Sequence, residues 1–249
     1  VAFLLQSFRK NILQCCSLTT TEGTMKKEIL TLLAAGTLLA TAMDTAQAAP
    51  VAWTDWTGAS TAASQVMGTL DVFGTPVDVT FSGAYSFAQT SGGTNYWNPS
   101  APYLSATVDN APPASDIIAF GAGGQKTITF SQAVQNPLIA LVSWNGNTVD
   151  FGVPITILSY GQGYWGNGTP ILNPAGTGFY GSGEVHGVIQ LPGTYTSITF
   201  TDTSEYWHGL TVGVTGLPSN AVPEPGTLLL FGTGLAALVG VSRRERNRK

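Results

Sequence analysis

Short stretches in which apolar and polar residues alternate constrain this chain more than anything else in it. Thr127-Ile128-Thr129-Phe130, Val77-Asp78-Val79-Thr80-Phe81, Ser197-Ile198-Thr199-Phe200-Thr201 and Leu210-Thr211-Val212-Gly213-Val214 each send every second side chain to one face. That is the period of a half-buried β-strand. Pro137-Leu138-Ile139-Ala140-Leu141-Val142-Ser143-Trp144 is more uniformly apolar and predicts a central strand, after which Asn145-Gly146 reads as a tight turn into Thr148-Val149-Asp150-Phe151-Gly152-Val153. Residues 185–191 add a further strand and Pro192-Gly193-Thr194 another turn. No long apolar stripe at helical spacing interrupts this pattern between residues 50 and 221. The expected fold is all-β, an antiparallel β-sandwich with a jelly-roll arrangement as one option, whose strand order stays open.

The segment before this domain has the composition of an export signal. Met25-Lys26-Lys27 opens a basic n-region, residues 29–42 form an apolar h-region, and Ala46-Gln47-Ala48 has the small-x-small pattern that signal peptidase cleaves. Cleavage is expected after Ala48, and Met25 is the expected start, with residues 1–24 an upstream extension. Cys15 and Cys16 are the only cysteines and lie in that extension. The mature protein is therefore expected to have no disulfide and no thiolate chemistry. The organisation read from the chain is 1–24 extension, 25–48 signal peptide, 49–221 domain and 222–249 tail.

The tail has three parts in fixed order. Val222-Pro223-Glu224-Pro225-Gly226-Thr227 is a rigid, proline-flanked acid; residues 227–241 are free of charge; Arg243, Arg244, Arg246, Arg248 and Lys249 then follow. The apolar run is shorter than the roughly 20 residues a stable membrane span wants, and Gly226 just before it with Gly232, Gly234 and Gly240 inside it weaken it as a helix. The order resembles the PEP-CTERM sorting signal of bacterial exported proteins. What the resemblance implies is a short C-terminal hydrophobic helix, a transient stop in the inner membrane with the arginines inside, and processing by an exosortase near Val222, Pro223, Glu224, Pro225, Gly226 and Thr227. It also implies a destination at the cell surface or in an extracellular matrix, and a link to exopolysaccharide and biofilm. Residues 126–214 are similar to ectodomains found upstream of such tails, with no activity attached to the likeness.

Charge excludes one class of partner. From residue 50 to 221 the acids are Asp55, Asp71, Asp78, Asp109, Asp116, Asp150, Glu184, Asp202 and Glu205, and the only base is Lys126. Neutralising phosphates takes clustered Lys and Arg, so no nucleic-acid partner is expected.

Site chemistry is sparse. Gly176-Thr177-Gly178-Phe179-Tyr180-Gly181 fits the glycine spacing of dinucleotide-binding turns but lacks the following helix, and reads as a surface loop. Glu184, His186, Glu205 and His208 are the one constellation with acid-base or metal-ligand potential. Asp109-Asn110, Asp116 and Asp150 lie near turns and could offer oxygens to calcium; no other cofactor is expected. Tyr-Trp recurs at 96–97, 164–165 and 206–207 at unequal intervals. Trp53, Trp56, Tyr96, Trp97, Tyr103, Tyr164 and Trp165 lie mostly in Gly/Asn/Pro-rich segments, where exposed rings could stack on sugars. The candidate ligand-binding residues are thus Trp97, Trp165, Glu184, His186, Trp207 and His208, with no catalytic residue assigned. The first expectation is a non-enzymatic structural or interaction protein outside the cell. A carbohydrate-binding module is the alternative, and a hydrolase or metal-dependent enzyme using Glu184, His186 and His208 is the third.

Overall fold

The computed structural model describes residues 50–218; the extension, the signal helix and the C-terminal hydrophobic helix expected above lie outside the described residues. In chain order the strands are β1 (Ala52–Trp53), β2 (Asp55–Ser60), β3 (Gln65–Val72), β4 (Thr75–Ser82), β5 (Phe87–Gln89), β6 (Ile117–Phe120), β7 (Gly124–Gln135) and β8 (Leu138–Trp144). There follow β9 (Thr148–Asp150), β10 (Thr156–Tyr160), β11 (Gly168–Leu172), β12 (Gly178–Gly183), β13 (Val185–Gln190), β14 (Thr194–Asp202) and β15 (His208–Val214). A single 3-10 turn, Ala101–Tyr103, is the only helical element among the described residues.

The strands form two antiparallel sheets. One runs β10-β13-β8-β15-β6-β5, with β1 also on β15; the other runs β11-β12-β9-β14-β7-β4-β3-β2. The eight-stranded sheet follows the alternation of its sequence. Val66, Leu70, Val77, Val79, Phe81, Ile128, Phe130, Ile198 and Phe200 point inward and are buried, while Met67, Thr69, Thr129 and Thr199 face outward. Facing them from the other sheet are Ile118, Phe120, Ile139, Leu141, Trp144, Leu210 and Val212, which complete the core. Each such side chain contributes about 1.5–3 kcal/mol by leaving water.

The seven-stranded sheet is buried on both faces at its centre, while its edge strands β10 and β5 are partly exposed. Every residue of β6, β8 and β15 is inaccessible, because the long segment between β5 and β6 lies across the outer face. Trp97, Tyr103 and Val108 from that segment pack with Leu138, Ala140, Val142 and Val188 into a second apolar layer. This layer explains why the β8 sequence is apolar throughout. It also corrects the expectation for the loop aromatics: Trp53, Trp56, Trp97 and Tyr103 are core, not surface, because the outer layer and the sheet edge absorb them.

Two further expectations change. Gly146 does adopt a left-handed turn conformation, φ 72°, but the strands it joins, β8 and β9, belong to opposite sheets. Asn145-Gly146 carries the chain across the sandwich rather than closing a hairpin. The glycine-rich stretch read as a surface loop is strand β12, paired with both β9 and β11. A β-carbon on Gly181 would collide with the carbonyl of Trp144, so close backbone approach, not phosphate binding, requires glycine there.

Candidate functional site: an aromatic cleft at the crossover end

The chain passes repeatedly between the sheets at one end of the sandwich. The pairings Val185 with Trp144, Gly187 with Tyr160, and Gly209 with Val142 put the end of β8, the end of β10 and the starts of β13 and β15 side by side. The links that leave or arrive there, β8 to β9, β10 to β11, β12 to β13 and β14 to β15, surround a cleft of about 500 Å³. Glu184 is the single residue between β12 and β13 and stands in this cleft. Ser143, held at φ 58°, donates its hydroxyl to Glu184 Oε2, and Asn145 Nδ2 donates to Oε1 at 2.8 Å. Both oxygens of the carboxylate are therefore fixed in place before any ligand arrives.

The walls are aromatic. Trp165 is 55% exposed and Tyr206 fully so, and with Trp207 they line the cleft. Ring centroids lie 6.2 Å apart for Trp165 and Trp207, 4.9 Å for Tyr164 and Trp165, 5.2 Å for Tyr96 and Tyr164, and 5.0 Å for Tyr96 and Trp207. Tyr96, Tyr164, Trp165 and Trp207, drawn from all three Tyr-Trp pairs of the sequence, thus meet in space. Trp97 is the exception: it turns inward, donating Nε1–H to the carbonyl of Asp116 and packing edge-on against Tyr103.

His186 holds the Trp165 wall from below. It is fully buried on the outer face of the seven-stranded sheet, where its Nε2 accepts the backbone N–H of Trp165 at 3.4 Å. Its Nδ1, 3.1 Å from the Tyr103 hydroxyl, must then carry the proton. Burial lowers its pKa to about 4, against a smaller upward pull from Glu184, so the ring is neutral at ordinary pH. Gly163 lies flat on this imidazole, leaving no room for a side chain.

A buried charged network sits on the opposite face. Lys126 Nζ donates to Asp202 Oδ1 at 2.5 Å and to the Ala122 carbonyl at 3.0 Å. His208 Nε2 lies 3.0 Å from Asp202 Oδ2, and its Nδ1 lies 3.3 Å from Glu205 Oε2. Burial opposes charge on His208, yet its contacts with Asp202 and Glu205 outweigh burial and raise its pKa above the ordinary imidazole value. Glu205 also lines the cleft, so it connects the network to the site.

The structure thus brings Trp165, Glu184 and Trp207 to one cleft, sets His186 behind it, ties His208 to it through Glu205, and leaves Trp97 apart. Ser143, Asn145 and Tyr206 join the site without having been singled out. The repeated Tyr-Trp pair was the signal that pointed to Tyr206. Of the residues considered for calcium, three serve the backbone: Asn110 bonds both polar groups of Val51, Asp116 accepts from Trp56 N, and Asp150 accepts from Gly152 N. Among the described residues no group of three or more His, Cys, Asp or Glu is placed to hold a metal ion, and no helix is long and apolar enough to cross a membrane.

Residues 221–244 match the model of the PEP-CTERM protein-sorting motif. That match covers Val222 to Thr227 and the first arginines, and it marks the chain as an exported protein addressed to exosortase and so to the cell surface or beyond. Neither a curated protein nor a solved structure matches the chain.

Proposed function

We propose that the exported domain is a non-enzymatic glycan-binding protein, retained after exosortase processing in an exopolysaccharide matrix of the biofilm type. The observation that carries this reading is the exposed indole of Trp165 beside Trp207, over a carboxylate whose oxygens Ser143 and Asn145 have already oriented. Apolar pyranose faces stack on such rings, while hydroxyls find the fixed Glu184 and the Asn145 amide. The cleft is open and its anchor residues stand on short crossovers of a rigid sandwich, which limits the ordering cost of binding. A hydrolytic or metal-dependent reading through Glu184, His186 and His208 has less support. The two imidazoles are buried on opposite faces of one sheet, and neither opens to the cleft.

The test is a pull-down of the exported protein on the polysaccharides of the producing cell, followed by tryptophan-fluorescence titration. Trp165→Ala should weaken binding by about 10- to 100-fold, as loss of an aromatic anchor does. Retention of full affinity without the indole, or no affinity for any polysaccharide, would end this proposal.

A further inference from the structure

Charge around the cleft narrows the class of glycan. Between residues 50 and 218 the sequence has one Lys and no Arg. That residue, Lys126, is 1% exposed and bound to Asp202. Both imidazoles are buried too. The described surface therefore offers a ligand carboxylates and no side-chain cation, and a uronate, sulfate or phosphate would meet repulsion from every ionised group it approached.

Inside the cleft the imbalance is sharper. Glu205 shares His208 with Asp202, which also holds Lys126 in the buried network. Glu184 has only neutral donors, Ser143 and Asn145, and no cationic partner among the described residues. Its negative charge is uncompensated and shares the cleft with Trp165 and Trp207, whose π-systems also attract a cation. A fixed carboxylate without a cationic partner, in one cleft with the exposed indole of Trp165, suits a pyranose that carries an ammonium group: the ring stacks and the ammonium docks on Glu184.

We infer that the cleft recognises amino sugars bearing a free, protonated amine, as in a partly or fully deacetylated hexosamine polymer, and rejects acidic polysaccharides. The inference rests on the glycan-binding reading above and gives it a ligand class.

Calorimetric titration of the exported protein at weakly acid pH and low salt tests it. The probes are a glucosamine oligomer, its N-acetylated counterpart of equal length, a neutral glucan oligomer, a uronate oligomer and oligolysine. The glucosamine oligomer should bind about tenfold tighter than the acetylated one, the scale of one charge-assisted contact, and the uronate should not bind. Added salt should erode that advantage. Glu184→Gln should abolish it, bringing the glucosamine oligomer down to the affinity of its acetylated counterpart in the same variant, whereas Trp165→Ala should weaken both. Equal affinity for amine and acetyl forms overturns the inference and leaves the glycan reading standing; no affinity for any oligomer overturns both. Oligolysine binding as tightly as the glucosamine oligomer overturns the inference in favour of bare charge attraction. Should Glu184→Gln not fold, the salt series on the parent protein decides, and an amine preference insensitive to salt overturns it.

Discussion

His186 and His208 are both fully buried in the seven-stranded sheet, on strands either side of β8, yet they end in opposite states. His186 faces the outer layer, where a tyrosine hydroxyl and a backbone N–H surround it, and burial pushes its pKa down to about 4. His208 faces the core between the sheets, where Asp202 and Glu205 more than repay the burial of its charge and raise its pKa. Equal burial thus sets neither charge nor role; the partners supplied across each face do. The outer face receives a neutral layer from a loop. The inner face receives carboxylates from the opposite sheet and from the crossover that follows it.

The most forceful way to break this contrast is to remove the shared carboxylate. Asp202→Asn leaves Lys126 and His208 buried without their common anion and should cost about 3–5 kcal/mol in denaturant unfolding. A loss below about 1 kcal/mol would show that the network does not hold the inner face. The pH dependence of stability sharpens the contrast next. Between pH 6.5 and about 4 the unfolded chain takes up a proton at His186 that the folded chain refuses, so stability should fall with acid over that window, by about 3 kcal/mol in full. His208 has the opposite sign: its contribution is complete below the unfolded value and is lost as pH rises through its raised folded value. His186→Gln should flatten the acid limb alone, and an unchanged acid limb would reassign it to other groups. The smallest effect should come from Tyr103→Phe, which removes the hydroxyl partner of His186 Nδ1 and should cost about 1 kcal/mol in the same unfolding assay.

Alternation made β4, β7 and β14 legible in advance, because a half-buried strand writes its two faces into every second residue; β15 alternates in the same way, yet it is buried on both faces because Thr211 and Gly213 lie under cover rather than in solvent. The reversal at Asn145-Gly146 was legible too, but turn chemistry is local and says nothing about which sheet receives the chain next. The double burial of β8 showed in its apolar run; what covers its outer face did not, since Trp97 and Tyr103 sit in a segment with the composition of a surface loop. The cleft was half visible. Trp165, Glu184 and Trp207 stood out by residue type, whereas Ser143 and Asn145 matter only because the end of β8 and the crossover after it aim them at Glu184. The Tyr-Trp pairs failed as a repeat in sequence and succeeded as a cluster in space, a relation that only the topology reveals.

The burial of Lys126 has a consequence for survival outside the cell. Proteases of the trypsin type cut after Lys or Arg, and from residue 50 to 218 they find one such bond, Lys126–Thr127. It lies in the middle of the eight-stranded sheet, on a strand paired on both sides, with its lysine locked on Asp202. Cleavage there requires that sheet to open first. A domain built almost without basic residues is, for that whole class of enzymes, a substrate only when it has already unfolded.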